Sequence, residues 1–513
     1  MADGLGTLNQ QSVEKKLDHD RLLKSKRVLE FLSANDTSSS SKSSKTLEDK
    51  YEQLTSTWKL PAGFKCPTVR YGKTELQMPI VTLGGMRQQE TWNPKDGLTL
   101  EEINKECQLN FEAIADHAMT VGINHFETAR GYGSSELQFG PVVKKYSRSS
   151  IILQTKVAPK PTNEEFRTLL EKSFTQLQLN EEDSYVDLLS FHGINKPEHL
   201  EYIFKDGGNM KIIQEYKKKG KIRFVGFSTH GMTDTIVKAI ETDAFDYVNL
   251  HFHFIGSYTA SGTGSENEGN YDAILAAKKR DMGIFIISPV DKGGALYEPP
   301  KSLATLCDQQ GVTPISMANL WLWAQGAHTL TIGAARPADI DEHLYAASLL
   351  DKAEKMSASF YETWMGKVDT MFGDTFRREW WKGLPSAYEN SEGVPVAHIY
   401  WLWWICKAWG MHHYAIKRYK SLEGNIANWN KDGFASFSWV PGVAFQPKRE
   451  AQLREALSSH PKVDHIMTAI KEVHQWCSND GCKKRGEAAI GDVDEKEWEI
   501  AYNLQPDIPY PER

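Results

Sequence analysis

From about residue 66 to residue 350 the chain alternates short apolar runs with longer amphipathic stretches, in the order strand, helix, strand, helix. Arg70 to Pro79 reads as a hairpin with its turn at Gly72 to Thr74, and the first strand beyond it is Ile80 to Leu83, stopped by Gly84-Gly85. Seven further strands are predicted at Ile123 to Glu127, Ile151 to Lys156, Val186 to His192, Ile222 to Gly226, Tyr247 to Leu250, Ile284 to Ser288 and Leu330 to Ile332. Helical spacing falls between them, as at Glu101 to Val121, Asn163 to Leu177, Lys211 to Lys219 and Thr313 to Trp323. Strands alternating with helices imply an α/β fold with a parallel sheet, and closure into a (β/α)8 TIM barrel is the economical solution at this length. An open doubly wound sheet is the alternative, but no Gly-x-Gly-x-x-Gly follows an early strand.

The pattern changes on both flanks. Residues 1–64 form a polar N-terminal extension, expected to be partly disordered because stretches such as Thr37 to Lys45 have nothing to bury. The barrel is assigned to 65–350. Residues 351–513 form a C-terminal helical region, rich in tryptophan (Trp364, Trp380, Trp381, Trp401, Trp403, Trp404) and broken near Gly383 to Pro385, Gly393 to Pro395 and Pro441-Gly442.

Charge narrows the partners. Lys and Arg number 60 against 67 Asp and Glu, a net charge of −7 without long single-sign blocks, which recommends neither nucleic acid nor a membrane surface. The strongly apolar run Ile399 to Trp409 falls far short of the ~20 residues of a spanning helix. The N-terminus lacks the features of a secretory or organellar signal, so a cytoplasmic location is expected. The 6 cysteines are scattered, as suits free thiols, and Cys477 with Cys482 has no second pair with which to build a metal site.

Chemistry concentrates at strand ends. Glu127, Lys156 and His192 each close a predicted strand, Tyr132 stands in the loop just past Glu127, and Ser134 or Ser135 can cap the helix that follows. A phenol is a poor acid at neutral pH, but a neighbouring ammonium favours phenolate and a carboxylate can hold that ammonium in place. Tyr132, Lys156 and Glu127 suit those roles, and His192 can orient a substrate carbonyl. Taken singly, each has a structural explanation as an ion pair, a loop aromatic or a core histidine. Together they suit carbonyl reduction with hydride from a cofactor.

The stretches Gly122 to Gly133, Gln154-Thr155-Lys156, Phe191 to Asn195 and Gly220 to Ser228 resemble, in order and spacing, the aldo-keto reductase family over roughly residues 66 to 350. The resemblance implies an NADP-dependent oxidoreductase, NAD being possible, that moves a hydride between the nicotinamide and a small carbonyl or alcohol substrate. By it Tyr132 is the general acid, Lys156 lowers its pKa, Glu127 supports Lys156 and His192 orients the carbonyl. Ser228 and Asn249 match positions that hold the nicotinamide amide. Ser288 with Lys292, Gly293 and Gly294 falls where the pyrophosphate is gripped, and Gly333, Ala334, Ala335 and Arg336 fall at the adenosine phosphate. Departures from the family pattern are Glu127 for aspartate, Ile287 for the stacking aromatic, and Asp339 where a basic residue is expected nearby. The long extension is similar to that of a subgroup with an iron–sulfur motif, but the clustered cysteines are absent and no cluster is expected.

Two rival readings remain. His251 and His253 alternate near the end of the sixth strand and, with His192, His230 and Asp291, suggest a metal-dependent barrel hydrolase, although Leu83-Gly84-Gly85 offers no ligand on the first strand. A non-catalytic nicotinamide-binding sensor or scaffold is the other.

Overall fold

The computed structural model describes residues 60–179, 184–255, 263–264, 266–291, 296, 299–428 and 441–484. Most of the N-terminal extension, part of the Gly256 to Gly269 loop, and Lys292, Gly293 and Gly294 lie outside these described residues.

Two short strands, β1 (Thr68–Arg70) and β2 (Gln77–Pro79), pair antiparallel, and the predicted turn forms at Gly72–Thr74. Eight parallel strands follow: β3 (Val81–Gly84), β4 (His125–Glu127), β5 (Ile152–Val157), β6 (Val186–Phe191), β7 (Ile222–Ser228), β8 (Tyr247–Leu250), β9 (Gly283–Ile286) and β10 (Thr329–Ile332). They close into a barrel in sequence order, with β10 beside β3 and Thr331 level with Thr82. The chain is thus a (β/α)8 TIM barrel, as the alternation predicted.

The helices before the last strand are α1 (Lys105–Thr120), α2 (Ser135–Lys145), α3 (Asn163–Gln176), α4 (Pro197–Phe204), α5 (Asn209–Lys218), α6 (Thr233–Glu241), α7 (Tyr271–Lys279), α8 (Lys301–Asp308) and α9 (Pro314–Ala324). Their starts follow local chemistry. Asn104 accepts from the amides of Glu106 and Cys107 to cap α1, Thr162 caps α3 from its side chain, and Thr313 caps α9, whose first residue is Pro314. After β10 come α10 (Asp339–Ala347), α11 (Ala353–Phe372), α12 (Val396–Trp409), α13 (His412–Gly424), α14 (Glu450–Ala456), α15 (Val463–Cys477) and α16 (Asn479–Lys484). Among the described residues no helix is long and apolar enough to cross a membrane.

The N-terminal hairpin plugs the lower end of the barrel. Tyr71 and Met78 pack with Ile152, Leu188, Tyr247 and Phe285 in an apolar cluster separate from the main core. Gly72 (φ +52) turns against the backbone of Asp281 to Gly283, where a Cβ would fall 2.6 Å from the carbonyl carbon of Met282. Only glycine lets the turn approach so closely.

Above the plug, inward-facing residues form two polar layers, because alternate residues of each strand share a face. In the lower layer Thr82 Oγ1 lies 2.7 Å from both Thr329 Oγ1 and His125 Nδ1, His125 Nε2 lies 3.1 Å from Gln154 Oε1, Gln154 Nε2 donates to Ser190 Oγ at 3.1 Å, and Ser190 meets the Tyr247 hydroxyl at 3.0 Å. Burial pushes the His125 imidazole down to about 3, so it stays neutral, its Nε2–H donating to Gln154. One step higher on their strands stand Gly84, Glu127, Lys156, Asn249 and Thr331, joined by Ser228 at the end of β7.

Candidate functional site

The upper layer holds the predicted constellation. Lys156, on β5, is 1 % exposed and donates to the Thr128 carbonyl at 3.0 Å and to the Tyr132 hydroxyl at 3.0 Å. Its ammonium also meets the buried carboxylate of Glu127. The extra methylene of the glutamate is accommodated without moving the lysine from Tyr132. Gly84, paired with Glu127 across the sheet, carries no side chain to crowd that carboxylate. The Tyr132 and His192 rings meet edge to face with centroids 5.6 Å apart, and the Lys156 ammonium sits 4.4 Å from the tyrosine ring centre. Glu127, Tyr132, Lys156 and His192 therefore converge.

The tyrosine loop is pinned at both ends. Its backbone continues along β5, with the Thr128 amide donating to Gln154 and the Arg130 amide to Lys156, both at 2.9 Å. The Arg130 guanidinium reaches Glu136 and Gln176, each at 2.6 Å, and Glu136 takes a further hydrogen bond from Thr155. Ser134 occupies the N-cap position of α2 but makes no side-chain cap, contrary to the sequence expectation. Its hydroxyl accepts instead from the amides of Glu90 and Thr91, because the loop after β3 competes for it. That loop runs across Gly133 (φ +56), where a Cβ would fall 2.8 Å from Trp92 Cα, and leaves Trp92 half-exposed.

Protonation follows burial. Burial raises the Tyr132 phenol above its usual value and pulls the Lys156 ammonium well below its own, an effect the Glu127 carboxylate opposes. Burial, aided by the Lys156 charge, lowers His192 to about 3, so its ring is neutral. At neutral pH the set therefore presents a protonated phenol and an uncharged imidazole, the forms needed to donate hydrogen bonds to a carbonyl oxygen.

Of the predicted cofactor residues, Ser228 and Asn249 stand level on adjacent strands. Ser228 Oγ accepts from the Gly193 amide at 3.1 Å. Asn249 is fully buried, yet neither atom of its carboxamide has a partner among the described residues. Buried polar atoms are rarely left so, and a ligand amide is the complement that would satisfy both. Ser288 lies past the end of β9 in the left-handed region (φ 56), at a cost of about 1–2 kcal/mol. In the loop after β10, Gln88 donates to the Ala334 carbonyl at 2.7 Å and Asn110 to that of Ala335 at 2.9 Å. Arg336 pairs with Asp339 at 2.8 Å, and the other Asp339 oxygen accepts from the Ala335 amide. The structure adds Arg87, whose side chain borders Gly333, 3.1 Å from where a Cβ would be. No sequence period links residue 87 to residue 333, so only the closure of β10 on β3 reveals the contact.

The rival histidine site is arranged differently from the metal reading. His251 and His253 stack with centroids 6.4 Å apart, and His251 Nε2 lies 3.6 Å from Asp291. That carboxylate is engaged by Arg418 and Tyr414 from α13. Among the described residues no group of three His, Cys, Asp or Glu forms that could hold a metal ion.

The profile of the Aldo/keto reductase family matches residues 81–359, and no curated protein matches the sequence. Among solved structures, the chain is similar to an aldo-keto reductase from Bacillus halodurans in a holo form (16 % identity, TM-score 0.44, covering 57 % of this chain and 96 % of that one). It is also similar to an aldo-keto reductase from Klebsiella pneumoniae in complex with NADPH (16 % identity, TM-score 0.41, 57 % and 95 % covered). With more than half of its 513 residues matched by that profile, the chain belongs to the aldo/keto reductase family, a family of oxidoreductases.

Proposed function

We propose that the chain is an oxidoreductase that interconverts a small carbonyl compound and its alcohol with a nicotinamide dinucleotide, in a cytoplasmic setting. The observation that carries this reading is the convergence of Tyr132, Lys156, Glu127 and His192 at the strand layer that also holds the unpartnered carboxamide of Asn249. When bound, the dinucleotide supplies or removes the hydride. Tyr132 donates the proton to the carbonyl oxygen, and His192 holds that oxygen by a hydrogen bond. Lys156, 3.0 Å from the phenol, stabilises the phenolate left behind, while Glu127 holds the lysine in place. Ser228 and Asn249 would hold the nicotinamide amide, Ser288 would contribute to the grip on the pyrophosphate, and the backbone of Gly333 to Arg336 would hold the adenosine end. NADP is the proposed form and NAD the alternative. Asp339 offsets Arg336, and Arg87 is the cation bordering Gly333 that a 2′-phosphate would meet.

Titration with NADPH and with NADH, followed by tryptophan fluorescence, tests the cofactor. Tyr132→Phe tests the chemistry: binding is expected to survive while aldehyde reduction falls about a hundred- to ten-thousand-fold. Binding of neither nucleotide sinks the proposal. Binding without turnover of any aldehyde, in wild type and variant alike, replaces the enzyme with a nicotinamide sensor.

A further inference from the structure

The matched family segment ends at residue 359, yet a helix well beyond it reaches back to the barrel rim. Asp291 follows β9 and is 2 % exposed, with φ +62. On α13 the Tyr414 hydroxyl donates to one of its oxygens and the Arg418 guanidinium to the other. Arg418 is 3 % exposed, and the pair is closed off from solvent on both sides. His251, two residues beyond Asn249 along the chain, lies 3.6 Å from the same carboxylate, and His253 stacks on His251. Other C-terminal groups grip the same sector: Trp401 donates to the Ile255 carbonyl, and Ser302 to that of Trp409 at 2.9 Å. Burial would raise the Asp291 carboxyl, but Arg418 beside it, with His251 and His253, holds it well below the usual carboxylate range.

A carboxylate is poorly placed here. Barrels of this class bind phosphates at the loops after their seventh and eighth strands, which are β9 and β10 in this chain. An unneutralised buried anion at the end of β9 would repel any phosphate brought to that rim, and in a low-dielectric setting that repulsion is strong. We propose that Arg418 and Tyr414 are positioning residues of the site. They neutralise and hold Asp291 so that the rim at the end of β9 accepts the anionic part of a dinucleotide, and the site is complete only with α13 in place. The inference rests on the dinucleotide reading above.

The test is NADPH titration of the full chain, by tryptophan fluorescence, with thermal unfolding as a control for folding. Arg418→Met is expected to weaken NADPH at least tenfold, Arg418→Lys to restore most of the loss, and Arg418→Met with Asp291→Asn to return to within about threefold of wild type. A purely structural role would leave the double variant at least as weak as Arg418→Met, and that result overturns the proposal. So does unchanged affinity in Arg418→Met. Should Arg418→Met fail to fold, Asp291→Asn alone carries the test: removing the carboxylate leaves the cation and is expected to tighten NADPH at least threefold, whereas unchanged or weaker binding overturns the proposal. Wild-type protein that binds neither NADPH nor NADH removes the underlying reading and this one with it. Wild-type binding with indifferent variants removes this one alone.

Discussion

The barrel interior and the cluster of Trp364, Trp380, Trp404 and Trp409 in the C-terminal region bury their polar atoms in opposite ways. In the barrel, Thr329, Thr82, His125, Gln154, Ser190 and Tyr247 form a chain in which each side chain can donate to the next. In the C-terminal helices, indoles do the burying: Trp364 stacks on Trp409 with centroids 4.6 Å apart, and Trp380 meets Trp404 at 5.8 Å. The buried indole N–H groups of Trp364, Trp404 and Trp409 have no acceptor among the described residues. The stagger of a tilted barrel brings together polar groups two residues out of strand register, as Thr82 with Thr329 and Gln154 with Ser190, so partners are delivered by the backbone. Helix packing offers no such alignment and is satisfied by volume and shape. The first region is specified by hydrogen-bond direction, the second by fit.

That contrast can be broken by substitution. The largest effect is expected in the C-terminal helices, where Trp404→Ala leaves a cavity among Phe376, Trp380 and its neighbours and lowers the unfolding free energy by ~3–5 kcal/mol in urea titrations. Thr82→Val, nearly isosteric, should cost less, about 1–3 kcal/mol, because it leaves His125 Nδ1 and Thr329 Oγ1 without their hydroxyl partner. If the valine variant proves the more damaging, fit rather than direction is the weaker constraint and the comparison inverts. Acid gives the smallest first step. The folded pKa of His125, about 3, lies below its ordinary 6.5, so the unfolded chain takes up the proton first. Stability is therefore complete above about pH 6.5 and lost as pH falls from 6.5 toward 3, His192 and His253 adding to the effect. His125 alone accounts for at most about 1.4 kcal/mol over the first pH unit. Urea midpoints from pH 7 to 4 should show a shallower decline in His125→Gln, and an identical decline would mean that the barrel interior does not resist protonation.

The same contrast decides what could be read from the sequence. The eight strands were legible because each is a short apolar run between amphipathic helices, with edges displaced by one to a few residues where glycine or the rim loops intervene, as at Gly84 and Ile286. Glu127, Lys156 and His192 were legible because strand ends of a barrel share one rim, and Tyr132 because its loop is short. Direct contact is shorter-ranged information. Arg87 against Gly333 and Arg418 against Asp291 join positions with no common period, and nothing in α12, apolar on nearly every face, indicates which side meets the barrel. The misassigned hydroxyl of Ser134 is the local version of the same failure: the cap rule knows only its own helix, and the competing amides of Glu90 and Thr91 arrive from another loop.

The distance along the chain between Asp291 and Arg418 also sets a schedule. They are 127 residues apart, so at typical rates of synthesis the arginine emerges roughly 6–25 s after the aspartate it neutralises. From the synthesis of Ile332 until that of Arg418 every residue of β3 to β10 already exists, while the acid at the end of β9 still lacks its counter-ion. A nascent barrel is thus held short of its finished rim until α13 arrives, and the last-made helices act as the step that matures it.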